Sequence, residues 1–399
     1  MSILVINSGS SSLKFAAFET PSLDTLASGK IQWRGDHVEG TSTLEFGDTK
    51  RVKQVSISGY EHAVRYALES LEAEHIINSD QPIEAVGHRI VHGGSLFPKS
   101  VYIDSSAKDG IRKLANFAPL HNPPALEAIE AIEKVLREVP NVAVFDTSFH
   151  ATIGPEAHVY PLPYEWYEQR QVRRYGFHGI SVDYCTRRSA ELLDRPASEL
   201  RLVVCHLGNG CSATAVQHGK SVATTMGFTP LEGLMMGTRC GSVDPSVVVH
   251  MQTQAGFSPQ EVERVMNHES GLLGISGVSS DFREVDAASR EGNARAKLAI
   301  DIYADRIRMA IGAAVVKMGG VDALIFTAGV GEHSAPLREM VCQGLDCIGI
   351  QLDSQANSEC QPDVNVATKN SPAKILVLHT REELLIAKET HALLIDLSS

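Results

Sequence analysis

Several stretches of the chain carry residue types suited to holding phosphate and other anions. Ser8–Ser12 and Gly208-Asn209-Gly210 are turns of small residues, each set between two apolar runs. Such turns expose backbone N–H groups with no side chain in the way, a geometry that cradles phosphate oxygens. Lys14, just past the first turn, adds a point charge. Taken singly, each turn reads first as an ordinary hairpin. Neither is a P-loop, because the chain has no G-x-x-x-x-G-K-[ST] match. Gly208-Asn209-Gly210 also fails as a dinucleotide fingerprint. That motif opens a helix, whereas Ser212–Val216 runs into the turn His218-Gly219-Lys220. A third glycine segment, Thr327–Glu332, follows the apolar Ala323–Phe326 and precedes a helix expected near Pro336. Strand, glycines and helix in that order let a nucleotide lie against backbone.

Basic and imidazole groups come next. His88-Arg89-Ile90-Val91-His92-Gly93-Gly94 sets an arginine among apolar residues expected to be buried. A buried guanidinium needs an anionic partner, either an internal carboxylate or a substrate. His88 and His92 are four apart, but the zincin glutamate is missing and Gly93-Gly94 would end a helix, so no metal is expected there. Asp146 closes the apolar run Ala143–Phe145, at a strand end where ligands collect in α/β sheets; a helix N-cap is the alternative. Arg173–Gly179 packs cations, an aromatic and an imidazole between glycines. Thr225–Gly241 is glycine-punctuated, nearly uncharged and ends on Arg239. A loop so apolar would be costly if exposed, so it is expected to line a closed site with Arg239 pointing inward and Met235 and Met236 as packing.

The elements that must position these groups alternate. Short apolar runs predict strands at Ile3–Ile6, Leu13–Phe18, Ala143–Phe145, Arg201–Cys205, Ala323–Phe326 and Lys374–Leu378. Helical spacing predicts helices over 61–75, 293–318 and 382–395. A further helix would open at Asn122-Pro123-Pro124, with Asn122 as N-cap and Leu126, Ile129 and Leu136 on its buried face. Alternation of this kind makes the class α/β. Val5–Ser12 can also be laid on Val204–Cys211 at an offset of 199. The match is one of pattern, not identity, so duplication and chance both stand open at this point.

Composition bounds the rest. A chain of 399 residues, 43% hydrophobic and 21% charged, is an ordinary soluble one with room for two or three domains. No stretch approaches the roughly 18 apolar residues of a spanning helix. The net charge of −12 argues against nucleic acid and anionic membrane, so an anionic ligand needs a local basic pocket. Seven cysteines without a Cys-x-x-Cys pair, and no signal-like N-terminus, point to a reducing cytoplasm.

The segments Ile6–Phe15, His88–Gly94, Asp146–His150, Arg174–Gly179, His206–Gly210 and Met226–Gly241 together resemble the acetate kinase family, in family order along essentially the whole chain. That family belongs with actin, hexokinase and the heat-shock ATPases. The resemblance implies duplicated ribonuclease-H-like (actin-like ATPase) domains flanking a nucleotide cleft. The first domain would span 1–150 with helix 382–399 packed back on it, and the second 151–381. It further implies a homodimer, a genuine repeat, and reversible transfer from ATP to acetate giving ADP and acetyl phosphate, with magnesium, for which manganese can stand in.

Carried over by position, Asn7 and Glu382 match the metal site, with Glu383 adjacent. Ser10, Ser12, Lys14, His206, Leu207, Gly208, Asn209 and Gly210 match phosphate contacts. Asp281, Phe282, Arg283, Gly329, Val330, Gly331, Glu332 and His333 match nucleotide contacts. Arg89 and Phe177 match acetate binding, Asp146 the residue assigned as catalytic, and His178 and Arg239 the groups that stabilise the transition state, with His121 as helper. Acetate titrates at about pH 4 to 5 and is already an anionic nucleophile, so Asp146 is better read as an orienter than as a base. This chain departs from the usual family pattern at Val182, Ala223, Ser242, Ala328 and His333. The competing readings are a propionate kinase, which would differ in pocket volume around the methyl group, and a non-catalytic ATP-binding relative.

Overall fold

The computed structural model describes residues 1–399 except Ser10, Gly35, Asp36, Leu120 and Ser399; for Arg34, His37, Val38, Leu397 and Ser398 only the backbone is described. The chain divides into two compact units, Met1–Phe149 with Arg381–Ser399, and His150–Thr380.

The first unit is built on an eight-stranded sheet: β1 (Ser2–Gly9), β2 (Ser12–Glu19), β3 (Thr25–Arg34), β4 (His37–Phe46), β5 (Thr49–Ser56), β6 (Ile83–Ile90), β7 (Val101–Tyr102) and β8 (Asn141–Phe145), ordered β5-β4-β3-β2-β1-β6-β8-β7. The run β1 to β5 is an antiparallel meander, and β6 and β8 join β1 in parallel. Ile3, Leu4, Val5 and Ile6 are all at most 1% exposed, as a strand covered on both faces requires. Leu4, Ile6 and Val86 pack with the helices Tyr60–Ala73 and Asn122–Val135. The opposite face is covered by the helix Glu382–Ser398, which lies along β1 and β6. Gly87 makes that approach possible: a Cβ there would come within 2.4 Å of Thr390 Oγ1 and 2.7 Å of Ile386 Cγ2.

The second unit has a six-stranded sheet: β9 (Arg201–Leu207), β10 (Cys211–Gln217), β11 (Lys220–Thr224), β12 (Ala323–Thr327), β13 (Val364–Asn365) and β14 (Lys374–Val377), ordered β11-β10-β9-β12-β14-β13. Here too a meander, β9-β10-β11, is followed by two strands parallel to its first member. The cores β3-β2-β1-β6-β8 and β11-β10-β9-β12-β14 therefore share one topology. β1 and β9 begin 199 residues apart, at Ser2 and Arg201, as do β2 and β10, at Ser12 and Cys211. The faint repeat is a structural duplication. No helix among the described residues is long and apolar enough to cross a membrane.

Two local expectations are corrected. Asn122 does not cap its helix; His121 occupies the cap position and makes no side-chain cap bond. The Asn122 amide is fully buried instead, accepting from His92 N at 3.2 Å and donating to His92 O at 3.0 Å, so it anchors the loop after β6. The helix expected near Pro336 is present, but the glycine segment ahead of it is itself helical. The helix Ala328–His333 starts as soon as β12 ends, with Ala328 at φ 64°, and a second helix, Ala335–Cys342, follows. Small residues let the chain turn from strand into helix without an intervening loop.

Two predictions follow from the packing. Gly87→Val places branched atoms against Thr390 and Ile386 and is expected to destabilise the protein by about 1–3 kcal/mol, read as a lowered Tm. Burial also pushes His88 and His150 down to about 4. The unfolded chain therefore binds protons that the folded chain refuses between pH 6.5 and 4, and stability must fall as pH drops through that window. Urea unfolding at pH 7 and pH 5 should differ by about 1–2 kcal/mol for each histidine, and His88→Gln should remove one share of that slope.

Candidate active site

Each unit gathers its own set of residues. In the first, β1, β6 and β8 run parallel, so their C-terminal ends lie side by side. Ile6 pairs with His88 and Arg89 with Val144. Alternation then puts Asn7, Arg89 and Asp146 on the face covered by the Glu382–Ser398 helix. Lys14, opposite Asn7, and Lys30, opposite Lys14, share that face.

Arg89 Nε and Nη2 donate to the two Asp146 oxygens at 3.2 and 2.6 Å, and Nη1 lies 3.4 Å from Glu382 Oε2. Asp146 continues the ladder past β8 by donating its N–H to Ile90 O. Burial works against the charge on Arg89, but Asp146, Glu382 and Glu383 outweigh it and hold the guanidinium above its ordinary pKa. Burial pushes the Asp146 carboxyl upward and Glu382 adds to this, while Arg89 pulls the other way. Glu382 and Glu383 sit in the first turn of their helix, where the macrodipole favours negative charge. Gly93 N donates to Thr147 Oγ1 at 3.0 Å, which ties the two strand-end loops together. His121 is half-buried at the head of its helix, and Ser12 pairs with Gly9 across the first turn. Ser10 lies outside the described residues.

In the second unit the turn Gly208–Gly210 joins β9 to β10 as a hairpin. A Cβ on Gly210 would stand 3.3 Å from His178 Nε2 and 3.6 Å from Arg239 Nη1. His178, at the head of the helix Gly179–Leu193, has φ 59° in the left-handed region, a strained conformation of the kind found at functional sites. Its Nδ1 is 3.0 Å from Ser212 Oγ, and its ring stacks on His206 with centroids 4.0 Å apart. Phe177, by contrast, is 1% exposed and belongs to the core, as does Leu207.

Arg239 arrives on the loop between β11 and the helix Pro245–Thr253. Met226, Leu234, Met235 and Met236 of this loop are buried, so most of its apolar character is spent on packing. Arg174 secures the loop, donating to the carbonyls of Thr224, Thr225 and Met226 and, at 2.6 Å, to Glu232. Glu232 also accepts from Tyr160. Gly237 N donates to Asn209 O at 3.0 Å, which fastens the loop to the hairpin turn. Arg239 Nη1 donates to Pro230 O at 3.3 Å and has no carboxylate in ion-pair reach among the described residues. Burial lowers its pKa, as expected of a guanidinium that lacks a counterion.

A cavity of about 720 Å³ opens beside this turn. Gly208, Asn209, Asp281, Phe282, Arg283, Gly329, Val330 and His333 line it, as do Ser280, Asp286 and Arg290, which sequence reasoning passed over. Phe282, Asp286 and Arg290 recur every four residues on one helix, and that spacing was the available signal. His206, Leu207, Gly210, Gly331 and Glu332 are not in the lining. Lys30 was also missed; only strand pairing brings it beside Lys14, and burial and that neighbour lower its pKa. Of the departures, Val182 is buried, Ser242 exchanges hydrogen bonds with Gly233 across the loop, and His333 lines the cavity.

Among the described residues no cluster of three or more His, Cys, Asp or Glu could cage a metal ion. Asn7 and Glu382 offer one amide oxygen and one carboxylate. That sparse oxygen set suits magnesium, which keeps several waters and arrives on substrate phosphates.

The Acetokinase family model matches residues 2–388. The acetate kinase of Cyanothece sp. is 47% identical over 400 residues, covering 98% of this chain and 97% of that protein, and the acetate kinase of Nostoc punctiforme is 48% identical, covering 97% and 98%. Among solved structures, Porphyromonas gingivalis acetate kinase superposes with a TM-score of 0.93 at 39% identity, covering 98% of this chain and 99% of that one. A propionate kinase from Francisella tularensis gives 0.91 at 38% identity, with the same coverage. Matches of this identity along nearly the full length, on a fold that repeats one topology twice, place the chain in the acetokinase family.

Proposed function

We propose that the chain transfers the terminal phosphoryl group of ATP to acetate, reversibly, giving acetyl phosphate and ADP. The observation that carries this reading is the pair of cations in unlike settings: Arg89 held among carboxylates at the C-terminal end of the central strand β6, and Arg239, with no carboxylate in ion-pair reach among the described residues, beside a glycine turn and a 720 Å³ cavity.

At neutral pH acetate is already ionised and needs no proton removed. The difficulty is bringing it to a polyanion and stabilising charge on the phosphoryl group in flight. Asp146 grips one edge of the Arg89 guanidinium with a bidentate pair, leaving the Nη1 corner only loosely engaged at 3.4 Å from Glu382. Arg89 binds the acceptor carboxylate, and Asp146 orients Arg89 and is no proton abstractor. Arg239 and His178 offer positive charge and a hydrogen bond to the phosphoryl oxygens at the Gly208–Gly210 turn. The cavity takes the nucleoside. Asn7 and Glu382 would hold magnesium, which when bound to the phosphates offsets their charge. Lys14 and Lys30 add two further cations on the same sheet face as Asn7.

A homodimer and a cytoplasmic location complete the reading. No residue of the Pro245–Thr253 helix is buried although it reads PSVVVHMQT, and Met309 and Val316 on the helix Ala294–Met318 are 66% and 79% exposed. Apolar surface of this kind is what a second copy would cover. All seven cysteines are free, which suits a reducing compartment.

Hydroxamate trapping of acetyl phosphate tests the central reading. Wild-type protein with acetate, ATP and magnesium should form hydroxamate, with a higher kcat/KM for acetate than for propionate; one methylene is worth about 1–3 kcal/mol. Arg89→Lys is expected to lose about 100-fold or more, because an ammonium cannot form the fork to Asp146. Asp146→Asn at neutral pH should lose kcat by a similar factor; near-normal turnover would remove the orienting role. For the dimer, light scattering should find wild-type protein at twice the chain mass and Val247→Glu with Met309→Glu shifted toward the monomer.

A further inference from the structure

Glu332 lies in the helix that lines the cavity, yet it is only 6% exposed and faces away from the lining. Its Oε1 accepts from Ala328 N at 2.9 Å and Thr380 N at 3.0 Å, and its Oε2 is 2.5 Å from His379 Nδ1. A carboxylate so engaged has little capacity left for a nucleotide hydroxyl. The contacts continue beyond it. Thr380 Oγ1 is 2.8 Å from Ser181 Oγ, and Ser181 Oγ is 2.8 Å from His206 Nδ1. His206 in turn stacks on His178 with 22° between the rings.

This chain of contacts joins the cavity helix, the segment after β14, the first turn of the Gly179–Leu193 helix and the end of β9. Ser181 has one proton to donate. The hydroxyl of Thr380 therefore bears on whether Ser181 donates to His206 Nδ1 or accepts from it, and so on which ring nitrogen of His206 carries hydrogen.

We propose that Glu332 is a positioning residue for the His206–His178 imidazole pair, acting through Thr380 and Ser181, and is not a ligand of the nucleotide. The inference rests on the phosphoryl-transfer reading above. Glu332 fixes the backbone at Thr380, Thr380 sets the Ser181 hydroxyl, and Ser181 sets the orientation and tautomer of His206. The ring of His206 then forms the wall against which His178 is held.

The test uses the full chain with Thr380→Val and Glu332→Gln, each alone and each combined with Ser181→Ala. Thr380→Val is nearly isosteric and keeps every backbone contact to Glu332, so it reports even where Glu332→Gln folds poorly. Both single variants should lower kcat roughly tenfold, with KM for ATP within about twofold of wild type and the ATP-induced rise in Tm retained. In the Ser181→Ala background neither should lower kcat by more than about twofold again, because the link is already cut. A raised KM for ATP with kcat preserved would make Glu332 a nucleotide ligand and overturn the proposal. An equal loss in the Ser181→Ala background would overturn it as well. The ring-nitrogen NMR signals of His206 should shift in Thr380→Val, and unchanged signals would refute the linkage even in a chain that forms no acetyl phosphate. That last result, wild-type protein that binds ATP but forms no hydroxamate, would count against the phosphoryl-transfer reading alone.

Discussion

The hold that Asp146 and Glu382 keep on Arg89 is the interaction on which the first unit is organised. Its three members come from the ends of two parallel strands and the start of the chain's last helix. They meet only because that helix returns to the first sheet and lies flat on it, which a side chain at Gly87 would prevent. The guanidinium is charged and oriented on one edge while the other corner stays loosely engaged. A buried cation satisfied on all sides would bind no substrate, and one with no partner would cost too much to bury.

The second unit solves a similar problem by other means. Among the described residues Arg239 has no carboxylate in ion-pair reach, so the loop that carries it is held by contacts made elsewhere along it. Arg174 provides most of these, spanning three successive carbonyls and Glu232 with a single guanidinium. Lysine could not do this, since only arginine's planar fork reaches several acceptors at fixed angles. Arg239 itself is half-buried and keeps a carbonyl partner in Pro230, while Met226, Leu234, Met235 and Met236 of the same loop are buried.

Duplication of one topology has left equivalent positions with different chemistry. At the offset of 199, Asn7 corresponds to His206 and Lys14 to Ala213. The first hairpin thus presents an amide oxygen and an ammonium at its base, and the second an imidazole and a methyl group. The imidazole of the second takes part in a network of hydroxyls and stacked rings.

Local pattern and residue type were enough for the α/β alternation, for strands such as Ile3–Ile6 and Ala323–Phe326, and for singling out Arg89, Asp146, His178 and Arg239. Apolar runs and special residue types are properties of short stretches, and a short stretch is all that such reasoning needs. Only tertiary structure decided what each polar group spends its hydrogen bonds on. Asn122 looks like a helix cap and is a clamp on His92; the glycines of Thr327–Glu332 look like a link between strand and helix and are themselves helical from Ala328. Glu332 carries no local sign that its carboxylate is engaged by Ala328 N, Thr380 N and His379, while Lys30 has no local signature and gains its place from strand register. A donor or acceptor is committed to whichever partner is nearest in space, and for Glu332 those partners include Thr380, 48 residues away along the chain.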